Sequence, residues 1–136
     1  MPKKVRVLFV CMGNCVRSQM AEALARHLVA DIIEAQSAGL HPLGFIDATT
    51  REVLTEEGIP FDGQFSKGIH THDLANIDLV VNMSGAPGAG LFHGNVYEDW
   101  PIRDPFGESV ITHRRILAEI RTRVLELADR FRASAQ

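Results

Sequence analysis

Residues 5–18 read VRVLFVCMGNCVRS. Val5 to Val10 is a β-branched and aromatic run, the composition of a strand buried in a parallel sheet. CMGNCVR then forms a loop. Ser18 is expected to cap a helix, with Glu22 four residues on and Met20, Ala21, Leu24, Ala25 and Leu28 at helical spacing. A strand, a short loop and a helix make the opening of a βαβ unit. In such sheets ligands bind beyond the carboxyl ends of the strands, and this strand ends at Cys11.

The rest of the chain continues the alternation. Ile32 to Gln36 reads as a second strand. Asp47 can cap a helix running to Glu57 and stopped by Gly58. His72 to Ala75 reads as one helical turn, and Leu79 to Met83 as a third strand. Gly85 to Gly90 holds three glycines and a proline and reads as a mobile turn region. Val96 marks a short fourth strand. From Ser109 onward, Val110, Ile116, Leu117, Ile120, Val124, Leu127 and Phe131 mark a long amphipathic helix. Strands alternating with helices give an α/β fold: one domain over residues 1–136, a three-layer sandwich around a four-stranded parallel sheet.

Composition narrows the function classes. The net charge is −3 and no basic stripe stands out, which argues against nucleic-acid binding. No stretch is long enough to span a bilayer, so no membrane role is expected. The N-terminal run MPKKVRVLFV is too short for the apolar region of a signal peptide. The two cysteines, Cys11 and Cys15, are four positions apart and poorly placed to staple a fold, so a reducing cytoplasm is the expected compartment.

The loop carries the chemistry. Cys11 is followed after five residues by Arg17 and Ser18, between a strand and a helix. A helix N-terminus presents free N–H groups and the positive end of a dipole. Gly13 lets the backbone turn its amides toward an anion. Arg17 offers a planar fork to two oxygens of a tetrahedral oxyanion. The same field favours the thiolate of Cys11, and the Ser18 hydroxyl can donate to that sulfur. Met12, Gly13, Asn14, Cys15 and Val16 would then surround the bound group.

At these residues the chain resembles the low-molecular-weight protein tyrosine phosphatases and their relatives, the thioredoxin-coupled arsenate reductases. The resemblance runs nearly end to end. It includes Ser37-Ala38-Gly39 after the second strand and Asp104-Pro105 near the end. It implies a phosphatase-like fold, with Cys11 as nucleophile, Arg17 on the equatorial oxygens and Asp104 as general acid. Asp99 is a nearby rival for the acid, but the family motif is Asp-Pro. No metal and no cofactor is implied. The aromatic wall that the resemblance implies is thin here: Phe106 follows Pro105, and it either stacks on a substrate ring or anchors the loop. Leu40-His41 stand at the other wall.

Finer features of the resemblance divide. Gln19-Met20-Ala21-Glu22, Gln64-x-Ser66 and Trp100 look like the reductase branch. The resolving cysteines of that branch are missing. Ser84 stands where one would follow the third strand, Leu91 is near the place of another, and no cysteine lies beyond Cys15. Cys15 itself is displaced by one position, Val16 standing before the arginine; it either forms a protective disulfide with Cys11 or packs. Some reductases hold potassium beside the loop with residues matching Asn14, Glu22 and Ser37 plus an aspartate whose place is taken by Lys67. Either the ammonium fills that cation position or the lysine is solvated. His70 and His72 flank Thr71 without a third ligand, and surface or capping roles suit them better than a metal.

The reading that follows is hydrolysis of phosphate monoesters, protein phosphotyrosine among them, through a cysteinyl-phosphate. The expected partners are a phosphorylated protein, a small phosphate ester or arsenate. The alternatives are an arsenate reductase served by an external thiol and an oxyanion-binding module without turnover.

Overall fold

Strand β1 (Val5–Cys11) is apolar on both sides because both sides are covered. The structure, a computed structural model, describes residues 3–134; residues 1, 2, 135 and 136 of the expected 1–136 domain lie outside the described residues. Val7, Phe9 and Cys11 point into the larger core, and Leu8 and Val10 into the smaller one. That is the period-two alternation of a central strand.

The sheet has four parallel strands in the order β2-β1-β3-β4. β2 (Ile33–Gly39) starts one residue later and runs three residues further than the sequence suggests. Ser37, Ala38 and Gly39 stay in register with Phe9, Val10 and Cys11, so the strand continues alongside β1 to its end. β3 spans Leu79–Asn82, with Met83 just beyond it. β4 is only Tyr97–Asp99. Val96, expected inside this strand, precedes it and is exposed; only its carbonyl joins the sheet, accepting from the Val80 N–H at 2.9 Å.

Helices α1 (Arg17–Leu28), α2 (Ala48–Glu56) and α4 (Val110–Ser134) belong to the larger core. Met20, Leu24, Leu54, Ile120 and Leu127 are fully buried there. Burial of each such side chain is worth roughly 1.5–3 kcal/mol. Asp47 caps α2 as expected, accepting from the Thr50 N–H, and Gly58 follows the helix in the left-handed conformation.

The opposite face is covered by short pieces. Phe92, after the one-turn helix α3 (Gly88–Leu91), packs with Leu8, Val10 and Val80, against Leu74 and Ile77. Gly85 to Gly90 is therefore not simply a turn: its second half opens α3. The helical turn expected at His72 to Ala75 is two 3-10 turns, Ile69–Thr71 and Leu74–Asn76. His72 lies between them in extended conformation, and Asp73 caps the second. No helix among the described residues is long and apolar enough to cross a membrane.

Candidate active site

The loop from Cys11 to Arg17 leaves the sheet at the carboxyl end of β1 and enters α1 directly. Its shape is set from outside. The carbonyls of Cys11, Met12, Gly13 and Cys15 accept from the N–H groups of Leu40, His41, Leu43 and Asp47, at 2.8–3.1 Å. The Asn14 carbonyl accepts from Gln19 Nε2 at 3.1 Å, and the Val16 carbonyl from the Met20 N–H. A trans peptide points its C=O and N–H in opposite directions. With the carbonyls of residues 11–16 held outward, the amides of residues 12–17 face inward as a cradle for an anion.

Two tight spots fix this path. Asn14 is left-handed at φ 49°, a conformation that asparagine tolerates better than most residues. A Cβ on Gly39 would lie 2.8 Å from the Asn14 nitrogen and 2.9 Å from the Met12 oxygen. The backbone of β2 therefore presses on the loop where only glycine fits.

Cys11 is 2% exposed, with Sγ 2.9 Å from Ser18 Oγ. Asn14 Nδ2 donates to Ser18 Oγ at 2.7 Å and to Ser37 Oγ at 3.0 Å. Ser18 Oγ thus receives one hydrogen bond and keeps its own hydrogen for the sulfur. This corrects the expectation that Ser18 caps α1. Ser18 is the second residue of the helix, Val16 is at the cap position, and no side chain caps it. A capping oxygen would occupy amides that the cradle turns toward an anion.

Arg17 is buried. Its Nη1 donates to the carbonyls of Met83 and Ile102, and its Nη2 lies 3.4 Å from Asp104 Oδ2. Its Nε is buried with no partner. A buried charged donor left unmade is costly. The edge formed by Nε and Nη2 is the one suited to two oxygens of an oxyanion. Asp104 is half exposed, and its Oδ1 accepts from the Phe106 N–H at 3.0 Å, tightening the turn at Pro105. Asp99, the rival acid, is occupied elsewhere: it accepts from Asn82 Nδ2 at 2.8 Å.

The supporting residues come together behind the loop. Ser37 Oγ donates to Glu22 Oε1 at 2.5 Å. Lys67 Nζ donates to Ser37 Oγ at 3.2 Å and to the Phe65 carbonyl at 3.0 Å, and lies 3.6 Å from Glu22 Oε1. The ammonium thus sits among the oxygens named for the cation position, while Asn14 Oδ1 accepts from the Lys67 backbone N–H at 2.8 Å. Sequence reasoning used Gln19 and Gln64 only as branch markers. They form a brace whose Gln19 end is buried: Gln64 Nε2 donates to Gln19 Oε1 at 2.8 Å, and Gln19 Nε2 to Asn14 Oδ1 at 3.0 Å. His72 has a ring nitrogen 2.9 Å from the Ser37 carbonyl.

Cys15 and Val16 contribute amides, not side chains, to the cradle; both side chains are buried. Cys11 and Cys15 are both free thiols. Burial pushes the Cys15 thiol up to about 12, reinforced by the negative charge of Cys11, Asp104 and Asp47 and partly offset by Arg17. Met12 and Phe106 remain exposed at the surface, as do Leu43 and Phe65. No group of three or more metal-ligating side chains occurs among the described residues.

The pattern of the family described as low molecular weight phosphotyrosine protein phosphatase matches residues 6–136. The chain is 33% identical over 126 residues to a glutaredoxin arsenate reductase of Synechocystis sp., covering 90% of this chain and 95% of that one. It is 40% identical over 87 residues to the low molecular weight protein-tyrosine-phosphatase YfkJ of Bacillus subtilis, covering 58% of this chain and 56% of that one. A solved structure described as an arsenate reductase in the phosphate binding state superposes with a TM-score of 0.85 at 31% identity, covering 93% of this chain and 98% of that one. The family pattern spans residues 6–136, and relatives at 33% and 31% identity each cover at least nine-tenths of the chain, so the chain belongs to the low molecular weight phosphotyrosine protein phosphatase family.

Proposed function

We propose that this protein hydrolyses phosphate monoesters, protein phosphotyrosine among them, through a cysteinyl-phosphate. The observation that carries the reading is the unpartnered, buried Nε of Arg17 at the end of a loop whose amides converge. The Cys11 thiolate attacks phosphorus, and the bond to the ester oxygen breaks. Arg17 and the amides of residues 12–17 hold the equatorial oxygens as charge builds on them. Binding of the dianion competes with Asp104 for Arg17 Nη2, which frees the carboxyl group to protonate the leaving oxygen. In the second step a water oxygen attacks phosphorus as Asp104 takes its proton, the P–S bond breaks, inorganic phosphate is released, and Ser18 Oγ donates to the departing thiolate. Asn14, Ser37, Glu22 and Lys67 hold Ser18 in place, the ammonium of Lys67 standing in for a bound cation. Met12 and Phe106 meet the organic part of the ester.

A second reading is arsenate reduction with an external thiol. The similarity to a glutaredoxin arsenate reductase favours it. Cys11 would bond to arsenic with loss of water, and an outside thiol would attack the Cys11 sulfur, forming a disulfide as the S–As bond breaks and its electron pair leaves with arsenic as arsenite. Burial, which raises the Cys15 thiol, disfavours Cys15 as the internal thiol of a relay. One preparation tests both readings: release of p-nitrophenol from p-nitrophenyl phosphate, and arsenite formation with thioredoxin or with glutathione and glutaredoxin. The expected result is phosphatase turnover and no thioredoxin-supported arsenite. Thioredoxin-driven arsenite production without ester hydrolysis would overturn the first reading.

A further inference from the structure

His113 lies in the first turn of α4, and its side chain is fully buried. Its Nδ1 is 3.0 Å from the Ser109 carbonyl, which can only accept, so Nδ1 carries a hydrogen. Its Nε2 is 3.3 Å from Asp47 Oδ2, an ion-pair distance without the alignment of a hydrogen bond, and it makes no hydrogen bond to any other group. The same carboxylate caps α2 through the Thr50 N–H. Asp47 also acts electrostatically on Cys15, together with Cys11, Asp104 and Arg17. On α4 itself, Arg114 is turned away onto Glu56.

This pair joins the two halves of the site. On one side, the Asp47 N–H donates to the Cys15 carbonyl, at the edge of the amide cradle. On the other side, the turn carrying Asp104 runs straight into α4. It is closed by Phe106 N–H to Asp104 Oδ1, Glu108 N–H to the Pro105 carbonyl, and Thr112 N–H to Ser109 Oγ. A displacement of His113 therefore moves the acid turn relative to the loop. We propose that His113 is a positioning residue whose contact with Asp47 tethers the Asp104 turn to the oxyanion loop and so aligns the acid with the leaving group. The tether rests on the reading of Asp104 as general acid, but its mechanical part does not.

Two substitutions at Asp47 isolate the contact without opening the core. Asp47→Ser keeps an N-cap oxygen for α2 but is too short to reach His113. Asp47→Asn keeps both the cap and the reach, and its amide can donate to an unprotonated Nε2. Amide hydrogen exchange over residues 103–109 should quicken in Asp47→Ser and return to the wild-type rate in Asp47→Asn. In kinetics, Asp47→Ser should lose about tenfold in kcat on phenyl phosphate, a poor leaving group, and much less on p-nitrophenyl phosphate, with KM little changed. Wild-type exchange in Asp47→Ser, or an equal kinetic loss on both esters, would overturn the proposal. So would a loss in Asp47→Asn as deep as in Asp47→Ser. If the wild type turned over neither ester, the reading of the site would fail, and the exchange comparison would still decide the tether.

Discussion

Cys11 and Cys15 sit four residues apart and face different surroundings. Cys11 Sγ has a hydroxyl beside it, at the end of a strand and under a helix N-terminus. Cys15 is packed in the larger core beside Val16, and its thiol is pushed up to about 12 by burial and by the charges of Cys11, Asp104 and Asp47. A thiol raised in the folded state makes folding favour the protonated form. Its contribution is fully present below the unfolded value, near 9, and is lost as pH rises from there toward about 12. The urea midpoint of the wild type should therefore fall more between pH 8 and about pH 10.5 than that of Cys15→Ala, which does not titrate. Parallel curves for the two proteins would contradict this account of Cys15. The same burial disfavours the thiolate of Cys15 and makes the loop pair a poor thiol relay.

At the scale of elements, the central device is β2 pressed against the oxyanion loop. Gly39→Ala would put a methyl group 2.8–2.9 Å from backbone atoms of Asn14 and Met12, where neither chain can yield without moving the cradle. The expected cost is roughly 1–3 kcal/mol of stability. The expected functional effect is a loss of inorganic phosphate affinity of about tenfold or more, measured by calorimetry. Unchanged affinity would show that the loop path does not depend on this contact. Much of this region is legible in the sequence because it is contiguous: β1, the loop and the start of α1 all lie within residues 5–18. Asp47 and Gly58 are equally readable, since caps and left-handed stops are local. What reads poorly is set by distant partners. The Met83 and Ile102 carbonyls that hold Arg17 are 66 and 85 residues away from it. The clash at Gly39 and the pairing of His113 with Asp47 also arise only when separate segments meet. Ser18 misleads for the converse reason: it has a good capping side chain, but the helix end it would cap faces the cradle. β4 is three residues on an edge, too short for a sequence period to locate.

For the whole molecule, the fold divides the work between its layers. The layer of α1, α2 and α4 carries most of the buried apolar surface, and the short turns on the other face complete the sheet. The site lies at the carboxyl end of β1, where the loop meets the segment 40–47 and the Asp104 turn. The surface carries a net charge of −3, so attraction of an anionic substrate falls to Arg17 and the inward amides and not to a long-range field. The proposed function turns on one covalent step at Cys11. Rapid acid quench of the wild type with p-nitrophenyl phosphate, followed by peptide mass spectrometry, reads that step directly. The account predicts one phosphoryl group on the peptide containing Cys11, formed as p-nitrophenol is released, and neither adduct nor turnover in Cys11→Ser. Turnover that persists in Cys11→Ser, or a phosphoryl group found on another residue, would contradict it.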